Sequence, residues 1–247
     1  MIKIEGLCKT YGQSLGLGQV TALHEVDFAV QAGEVFGFLG PNGAGKSTTI
    51  KILLNLIRPD AGRATILDTD VAVPQLRRQV GFLPENPYFY DYLSAWELLW
   101  FGGRSAGMSN AAIEKRGTEL LAQVDLLGAA KRQLRTYSKG MVQRAGLALA
   151  LIHDPQVVIL DEPMSGLDPL GRKMVGDLIM DLKAQGKTVF FSSHILSDVE
   201  RFCDRAGIIV GGRLRCVGTL DELLAEGQSL EDVFLREVHK AGGGEGA

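Results

Sequence analysis

The chain has 247 residues, of which 46% are hydrophobic and 22% are charged, as is typical of a globular protein. This length is enough for one large domain or two small ones. The formal net charge of −3 gives no overall positive field that would attract nucleic acid or an anionic membrane, and the apolar content excludes general disorder.

The cysteines and the N-terminal residues indicate the cellular compartment. Cys8, Cys203 and Cys216 lie far apart with no Cys-x-x-Cys pair, which favours a reducing, cytosolic setting over a disulfide or zinc framework. Met1 is not followed by an apolar segment with a small-residue cleavage site, so we expect no signal peptide. Because no run of about 18 apolar residues occurs, we expect no bilayer span.

The first third of the chain alternates short apolar runs with glycine-rich turns. Gly33 and the stretch 12–18 are typical of turns, and the runs between them predict strands. The predicted strands are residues 2–7, 20–23, 26–30 and 34–39. A helical pattern over residues 49–57 follows, and residues 80–83 form a further apolar run.

From Ser94 the pattern becomes helical. Ser94 and Glu97 form a capping box, and apolar residues recur at helical spacing from Ile113 to Leu127, where Gly128 is expected to end the helix. We take residues from about 91 to 149 as a mostly helical insert in an α/β core. Such alternation of apolar runs and helical patterns predicts the α/β class.

The last hundred residues return to alternating strands and helices. Residues 157–160 are apolar on both faces, as a central parallel strand requires, and residues 188–191 and 207–210 predict two more strands. Helices are predicted to start at Asp168-Pro169, ending near Gly186, and at Thr219 with Glu222. A last amphipathic helix covers about 230–240, and we expect the glycine-rich tail 241–247 to be disordered.

One segment matches the phosphate-binding pattern G-x-x-x-x-G-K-[ST], between a predicted strand and a predicted helix. Its glycines let successive backbone N–H groups converge on phosphate oxygens, and the helix N-terminus favours negative charge. Lys46 is expected to reach the β- and γ-phosphates and Ser47 to bind Mg²⁺. The residues expected to contact the nucleotide are Gly40, Pro41, Asn42, Gly43, Ala44, Gly45, Lys46, Ser47 and Thr48.

Two adjacent acids, Asp161 and Glu162, follow the predicted central strand directly. At this end of a strand a carboxylate faces the ligand crevice of an open α/β sheet. Acids are also common where helices start, so the pair alone does not indicate a site. Beside a phosphate loop, Asp161 is predicted to hold Mg²⁺ and Glu162 to deprotonate the attacking water.

The segment Tyr137-Ser138-Lys139-Gly140-Met141 opens a helical pattern, and Ser138 alone would be an ordinary N-cap. Together with the preceding motifs, however, the chain resembles the ATP-binding subunit of ABC transporters, whose signature Leu-Ser-Gly-Gly-Gln also follows a helical insert. Asp168 lies in a Ser-Gly-Leu-Asp segment similar to the family's D-loop. Tyr11 matches the adenine-stacking aromatic, and His194 matches the switch histidine at the γ-phosphate.

The resemblance implies a fold and a mode of action. The fold would be a P-loop NTPase core with an antiparallel β portion and an inserted helical subdomain: one ATPase domain at 1–240, with core segments 1–90 and 150–240. Family members dimerise head to tail, so Ser138 and Gly140 of one chain would face ATP held by the other. A membrane permease docked near residues 85–90 would place the chain on the cytoplasmic face of the cell membrane.

Two departures from the family pattern resemble the variant in single-domain exporters of drugs, lipids and polysaccharides. Glu85 stands where Gln is usual and can accept hydrogen bonds from Mg²⁺-bound water but cannot donate one. Lys139 and Met141 replace Gly and Gln in the signature, and we hypothesise that Lys139 offsets phosphate charge across the dimer. Residues 230–234 also resemble that subgroup.

The sequence therefore predicts a Mg²⁺-dependent ATPase subunit that powers transport, most simply export, together with a second ATPase chain and a permease. One alternative is a soluble ABC ATPase acting on nucleic acid or ribosomes, but no long coiled-coil insert, second ATPase domain or basic face supports it, so we expect no nucleic-acid partner. A GTPase or small-molecule kinase would explain only the phosphate loop, and the chain has no Asn-Lys-x-Asp motif.

Overall fold

A computed structural model describes residues 1–12, 18–224 and 227–242, and the chain divides into two compact units. The first unit combines Met1–Leu76 with Thr188–Ala247, and the second is Arg77–Lys187. Both units contain strands and helices, which confirms the predicted α/β class. Among the described residues, no helix combines the length and the apolar character needed to cross a lipid bilayer.

The first unit contains two sheets. One is antiparallel with strand order β2-β1-β4-β5, and in the other β3 is parallel to both β8 and β9, while β10 pairs antiparallel with β9. The elements of this unit are β1 (Ile2–Gly12), β2 (Gln19–Val30), β3 (Val35–Leu39), α1 (Lys46–Leu53), β4 (Ala61–Ile66), β5 (Thr69–Asp70), β8 (Thr188–Ser193), α6 (Leu196–Phe202), β9 (Arg205–Val210), β10 (Arg213–Thr219), α7 (Leu220–Leu223) and α8 (Leu230–Gly242).

Four phenylalanines form an aromatic core in the first unit. They are Phe28 of β2, Phe36 and Phe38 of β3, and Phe190 of β8, and five of their ring pairs have centroids 5.2 to 6.2 Å apart. All five residues of β3 are buried, as expected of a parallel strand with both faces covered. The strand that leads into the phosphate loop is therefore rigidly packed.

The second unit has three helices, α2, α3 and α4, that contact one another. Its strands β6 and β7 are parallel, and every residue of β7 is buried, which confirms the predicted central strand at 157–160. The elements are β6 (Val80–Leu83), α2 (Ala95–Ser105), α3 (Asn110–Gln123), α4 (Lys139–Leu151), β7 (Val157–Asp161) and α5 (Pro169–Ala184), with 3-10 turns at Leu127–Ala129 and Leu134–Thr136. A further 3-10 turn, Pro74–Gln79, begins in the first unit and ends in the second.

The helix starts that were predicted from capping residues are confirmed. Ser94 and Glu97 form a reciprocal capping box at α2, and Thr219 and Glu222 form another at α7. Hydrogen bonds from the Ser94 backbone and hydroxyl lower the pKa of Glu97. Asp168 caps α5 through the Gly171 N–H at 2.7 Å, with a proline at the first helical position. Local side-chain chemistry thus fixes these starts.

The prediction of two strands at 20–23 and 26–30 is wrong, because β2 is one strand. Glu25 has a left-handed φ of +45°, and the pairing of β2 with β1 shifts register around this position. Such a bulge breaks the alternation of side chains without ending the strand. Of the turn predicted at 12–18, residues 13–17 lie outside the described residues.

Several predicted ends also differ. Helix α1 ends at Leu53 instead of residue 57, since Asn55 is left-handed with φ +51°. Helix α3 ends at Gln123, well before Gly128, because Asp125 has φ +52° and the chain turns there. Helix α8 extends to Gly242, and residues 243–247 of the predicted tail lie outside the described residues. Strands β4, β5 and β10 were not predicted.

Candidate functional site

The phosphate loop lies between β3 and α1, as predicted, but α1 begins at Lys46, three residues before the predicted start at residue 49. Six residues therefore separate the strand from the helix. Gly43 and Gly45 have φ of +79° and +111°, values that L side chains rarely adopt. A Cβ on Gly45 would lie 2.7 Å from the Ala22 carbonyl oxygen, and one on Gly40 would collide with the Ile209 carbonyl. Glycine is therefore required both for the turn and for the close packing of this loop.

Lys46 begins α1 and is buried, with 6% of its surface exposed. Its ammonium donates to the Gly40 carbonyl at 2.7 Å and contacts the Pro41 carbonyl at 3.4 Å, so the charge lies over the loop. The Thr49 hydroxyl donates to the Gly45 carbonyl at 3.0 Å. A positive charge and a helix N-terminus at the same loop favour binding of a phosphate group.

Two other predicted residues lie beside this loop in the first unit. The Tyr11 hydroxyl is 3.5 Å from the Thr48 hydroxyl, which brings the predicted adenine-stacking ring to the helix that follows the loop. His194 is exposed and directly follows Ser193, which pairs with Leu39 in the parallel ladder of β3 and β8. The phosphate loop and His194 therefore leave the same edge of the sheet.

The acidic pair lies in the second unit. Asp161 is the last residue of β7, and both Asp161 and Glu162 are 7% exposed. Glu162 has φ +50°, an uncommon backbone conformation for a residue with a long side chain. The next carbonyl, that of Pro163, accepts a hydrogen bond from the buried Gln143 amide of α4 at 3.4 Å.

Glu85 lies near the same end of this strand pair. It is exposed and follows β6 by two residues, and Leu83 of β6 pairs with Leu160 of β7. Because parallel strands present their carboxyl ends at one edge, Glu85 and Asp161 both come from that edge. Two predicted Mg²⁺ ligands therefore leave neighbouring strands in the same direction.

The signature segment and the D-loop-like segment share a pocket of about 470 Å³ in the second unit. Ser138 caps α4 by accepting from the Met141 N–H at 3.3 Å, as predicted for an N-cap. The predicted cofactor residues lining the pocket are Ser138, Gly140 and Asp168. The structure thus collects these three residues around one opening.

The Lys139 side chain lies against Gly166, a contact that the sequence did not predict. A Cβ on Gly166 would be 3.4 Å from both Cε and Nζ of Lys139, and Gly166 has φ +71°. Leu167 makes a similar approach to Gly140. The unusual signature residue is therefore packed against the D-loop-like segment, and no local sequence pattern could reveal a contact between segments so far apart in the chain.

Comparisons with known proteins agree with these motifs. A model of the ABC transporter family matches residues 23–165. An ABC transporter ATP-binding protein of Synechocystis sp. is 51% identical over 92% of this chain. The doxorubicin resistance ATP-binding protein DrrA of Mycobacterium tuberculosis is 40% identical over 90% of this chain. This chain spans 65% of the Synechocystis protein and 66% of DrrA.

A solved structure has the same fold. It is the dimeric ATP-binding cassette MJ0796 in a post-hydrolysis state, bound to ADP and phosphate. Its TM-score is 0.80 at 28% sequence identity, over 89% of this chain and 99% of that chain. The similarity therefore extends over nearly all of the solved cassette.

Proposed function

Because this chain belongs to the ABC transporter family, we propose that it is the subunit that binds and hydrolyses ATP to power transport through a separate membrane permease. The observation that carries the proposal is the phosphate loop of the first unit. Its glycines make the close approaches described above, and the Lys46 ammonium lies over it. The family model covers this loop and the acidic pair.

In this proposal the nucleotide is held by residues of the first unit. Backbone N–H groups of residues 40–48 and the Lys46 ammonium bind the phosphates, and the Tyr11 ring stacks on the adenine. The distance between Tyr11 and Thr48 supports this assignment, since a base beside α1 and phosphates at its N-terminus lie within the length of one nucleotide. His194 contacts the γ-phosphate.

The remaining chemistry is assigned to Mg²⁺ ligands and a base. Mg²⁺ prefers oxygen ligands and keeps several waters, so few protein ligands are needed beside phosphates. The Ser47 hydroxyl and the Asp161 carboxylate fit this preference and would hold the ion, and the Glu85 carboxylate could accept hydrogen bonds from its waters. Among residues 1–12, 18–224 and 227–242, no group of three or more His, Cys, Asp or Glu side chains could hold a metal ion, so the proposed site depends on phosphate oxygens as further ligands.

When bound, Mg²⁺ neutralises charge on the phosphates. Glu162 then orients the attacking water and accepts its proton, and Lys46 and His194 stabilise charge on the transferred group. Phosphoryl transfer depends on positioning and charge stabilisation more than on covalent catalysis, which suits this set of residues. The assignment of Asp161 and Glu162 rests on the family and on their place at the end of β7.

A second ATPase chain completes each site in this proposal. Ser138, Gly140 and Asp168 line one pocket, and we assign it to the nucleotide carried by the partner. The related cassette MJ0796 is a dimer with ADP and phosphate bound. ATP would close such a dimer because its γ-phosphate bridges both chains, and hydrolysis would remove that bridge and open it.

We assign the permease contact to exposed tyrosines that follow β6. Tyr88, Tyr90 and Tyr92 are 94%, 66% and 59% exposed, and the rings of Tyr90 and Tyr92 stack at 5.6 Å. Aromatic side chains are enriched in the cores of protein interfaces. Docking here places the chain on the cytoplasmic face of the membrane, and the similarity to a drug-resistance protein favours export.

A pull-down from gently solubilised native membranes tests the proposal. A tagged chain is expected to bring down a stoichiometric protein with several membrane spans, and the purified chain is expected to release phosphate from ATP. Replacing the three tyrosines by serine should remove the membrane protein but keep ATP binding, whereas Leu235→Ser, at another exposed apolar position, should change neither. Recovery of soluble partners without any membrane protein would contradict the transport assignment.

A further inference from the structure

The phosphate loop packs against the turn that joins β9 to β10, which consists of Gly211 and Gly212. The Gly212 N–H donates to the carbonyl of Ala44, inside the loop, at 3.0 Å. The Gly212 carbonyl accepts from the N–H of His24, in β2, at 2.8 Å. One residue of the turn therefore connects the phosphate loop to β2 through its own backbone.

The hydrogen bond to the Ala44 carbonyl also sets the orientation of the Gly45 N–H. The Ala44 carbonyl and the Gly45 N–H belong to the same planar trans peptide, so they point in opposite directions. Holding the carbonyl on Gly212 turns the Gly45 N–H away from Gly212. Backbone N–H groups are what a phosphate loop offers to its ligand. The orientation of a phosphate-binding donor thus depends on the turn.

The surroundings of Gly212 exclude a side chain. Gly212 has φ +72°, and a Cβ there would lie 2.6 Å from the Ala22 carbonyl oxygen and 3.1 Å from Cδ2 of His24. Gly45 makes a similarly close approach to the Ala22 carbonyl. Gly211 has φ +57° but open space around its Cβ position. The two glycines therefore share a left-handed backbone and differ in packing.

We propose that Gly212 is a positioning residue for nucleotide binding, which acts by holding the Ala44–Gly45 peptide with its N–H directed at the phosphates. This inference rests on the proposed function, since it requires that the loop binds a nucleotide. The turn is distant in sequence from the loop that it orients.

A pair of alanine variants separates positioning from stability. Both Gly211→Ala and Gly212→Ala place a Cβ on a left-handed residue, so both should lower the melting temperature of the nucleotide-free chain. Only Gly212→Ala must also move the turn away from β2 and lose the bond to Ala44. Its affinity for ADP, measured by calorimetry, should fall about tenfold, whereas Gly211→Ala should bind ADP within about twofold of the parent.

A backbone ester tests the hydrogen bond itself without adding a side chain. Residues 203–247 can be synthesised with glycolic acid in place of Gly212 and joined to the rest of the chain at Cys203. The ester removes one N–H donor, so ADP affinity should fall about three- to tenfold. The KM for ATP should rise by a similar factor while kcat changes little.

The outcomes of the ester experiment are distinct. A folded ester variant that binds ADP as tightly as the parent would overturn the role of Gly212 and leave the proposed function standing. A parent chain that binds no ADP would overturn the proposed function and this inference with it. Should Gly212→Ala fail to fold, the ester variant still decides between these results.

Discussion

Glu162, the catalytic base in the proposed function, has a left-handed backbone, and the energy of that conformation can be measured. A left-handed conformation costs an L residue about 1–2 kcal/mol, whereas glycine loses about 0.5–1 kcal/mol more than alanine through backbone entropy on folding. Glu162→Gly and Glu162→Ala both remove the carboxylate. The glycine variant should therefore be the more stable of the two, by about 0.5–1 kcal/mol.

Glu119 provides the matched control, because it is exposed in the middle of α3, where φ is ordinary. Glycine at such a helical position is less stable than alanine by about 1 kcal/mol. The difference between glycine and alanine should thus change sign between positions 162 and 119. Urea unfolding of the four variants gives the required free energies.

A glycine variant at position 162 that is less stable than the alanine variant would refute a left-handed backbone there. Both variants at position 162 should fail to release phosphate from ATP, since neither has a base. Both variants at position 119 should hydrolyse ATP like the parent. The strain and the activity are therefore tested by the same four proteins.

Three further changes have defined outcomes. Lys46→Ala should weaken ATP binding about 10- to 100-fold by calorimetry, because charged hydrogen bonds contribute about 1.5–3 kcal/mol, while Lys51→Ala on the same helix should not. Lys139→Gly should weaken ATP-driven dimerisation in light scattering, and unchanged affinity and turnover would contradict its role at the phosphates. Burial lowers the pKa of His153, so the unfolded state binds its proton more readily, and stability should fall as the pH drops below about 6.5. His153→Gln should reduce this fall in melting temperature, and an unchanged pH dependence would contradict it.

Helix starts could be predicted because their chemistry is local. The side-chain oxygens of Ser94, Asp168 and Thr219 each accept a hydrogen bond from the N–H three residues later. The pattern is therefore visible in a short stretch of sequence. Helix ends were harder to predict. At the turns after α1 and α3 the left-handed residues are Asn55 and Asp125. Because neither is a glycine, the usual sequence signal for the end of a helix is absent there.

Strand β10 was missed because its pattern is weak. Its residues are half-buried or exposed apart from one glycine, and an extra residue near Arg215 shifts its register with β9. A hairpin turn is recognised by the strands on both sides of it, so without β10 the pair Gly211 and Gly212 does not indicate one. The contact of Gly212 with the phosphate loop could therefore not be predicted from the sequence, although the loop itself could be, from the spacing of its glycines and Lys46.

In the candidate site, too, the residues could be predicted but the contacts between distant segments could not. The phosphate loop, the acidic pair and the signature segment each carry a local pattern, so their residues could be named in advance. Long-range packing could not be predicted. The position of Lys139 against Gly166 and the sharing of one pocket by Ser138 and Asp168 depend on how the start of α4 packs against the segment that precedes α5.

In the proposed mechanism, two copies of this ATPase subunit close on ATP. The most direct test is light scattering of Glu162→Gln with ATP and with ADP. If Glu162 is the base, this variant should bind ATP without hydrolysing it, and its mass should double with ATP but not with ADP. Glu119→Gln, as control, should hydrolyse ATP like the parent. Hydrolysis by Glu162→Gln at the parent rate would contradict Glu162 as the base, and a mass that stays monomeric with ATP bound would contradict ATP-driven closure of the dimer.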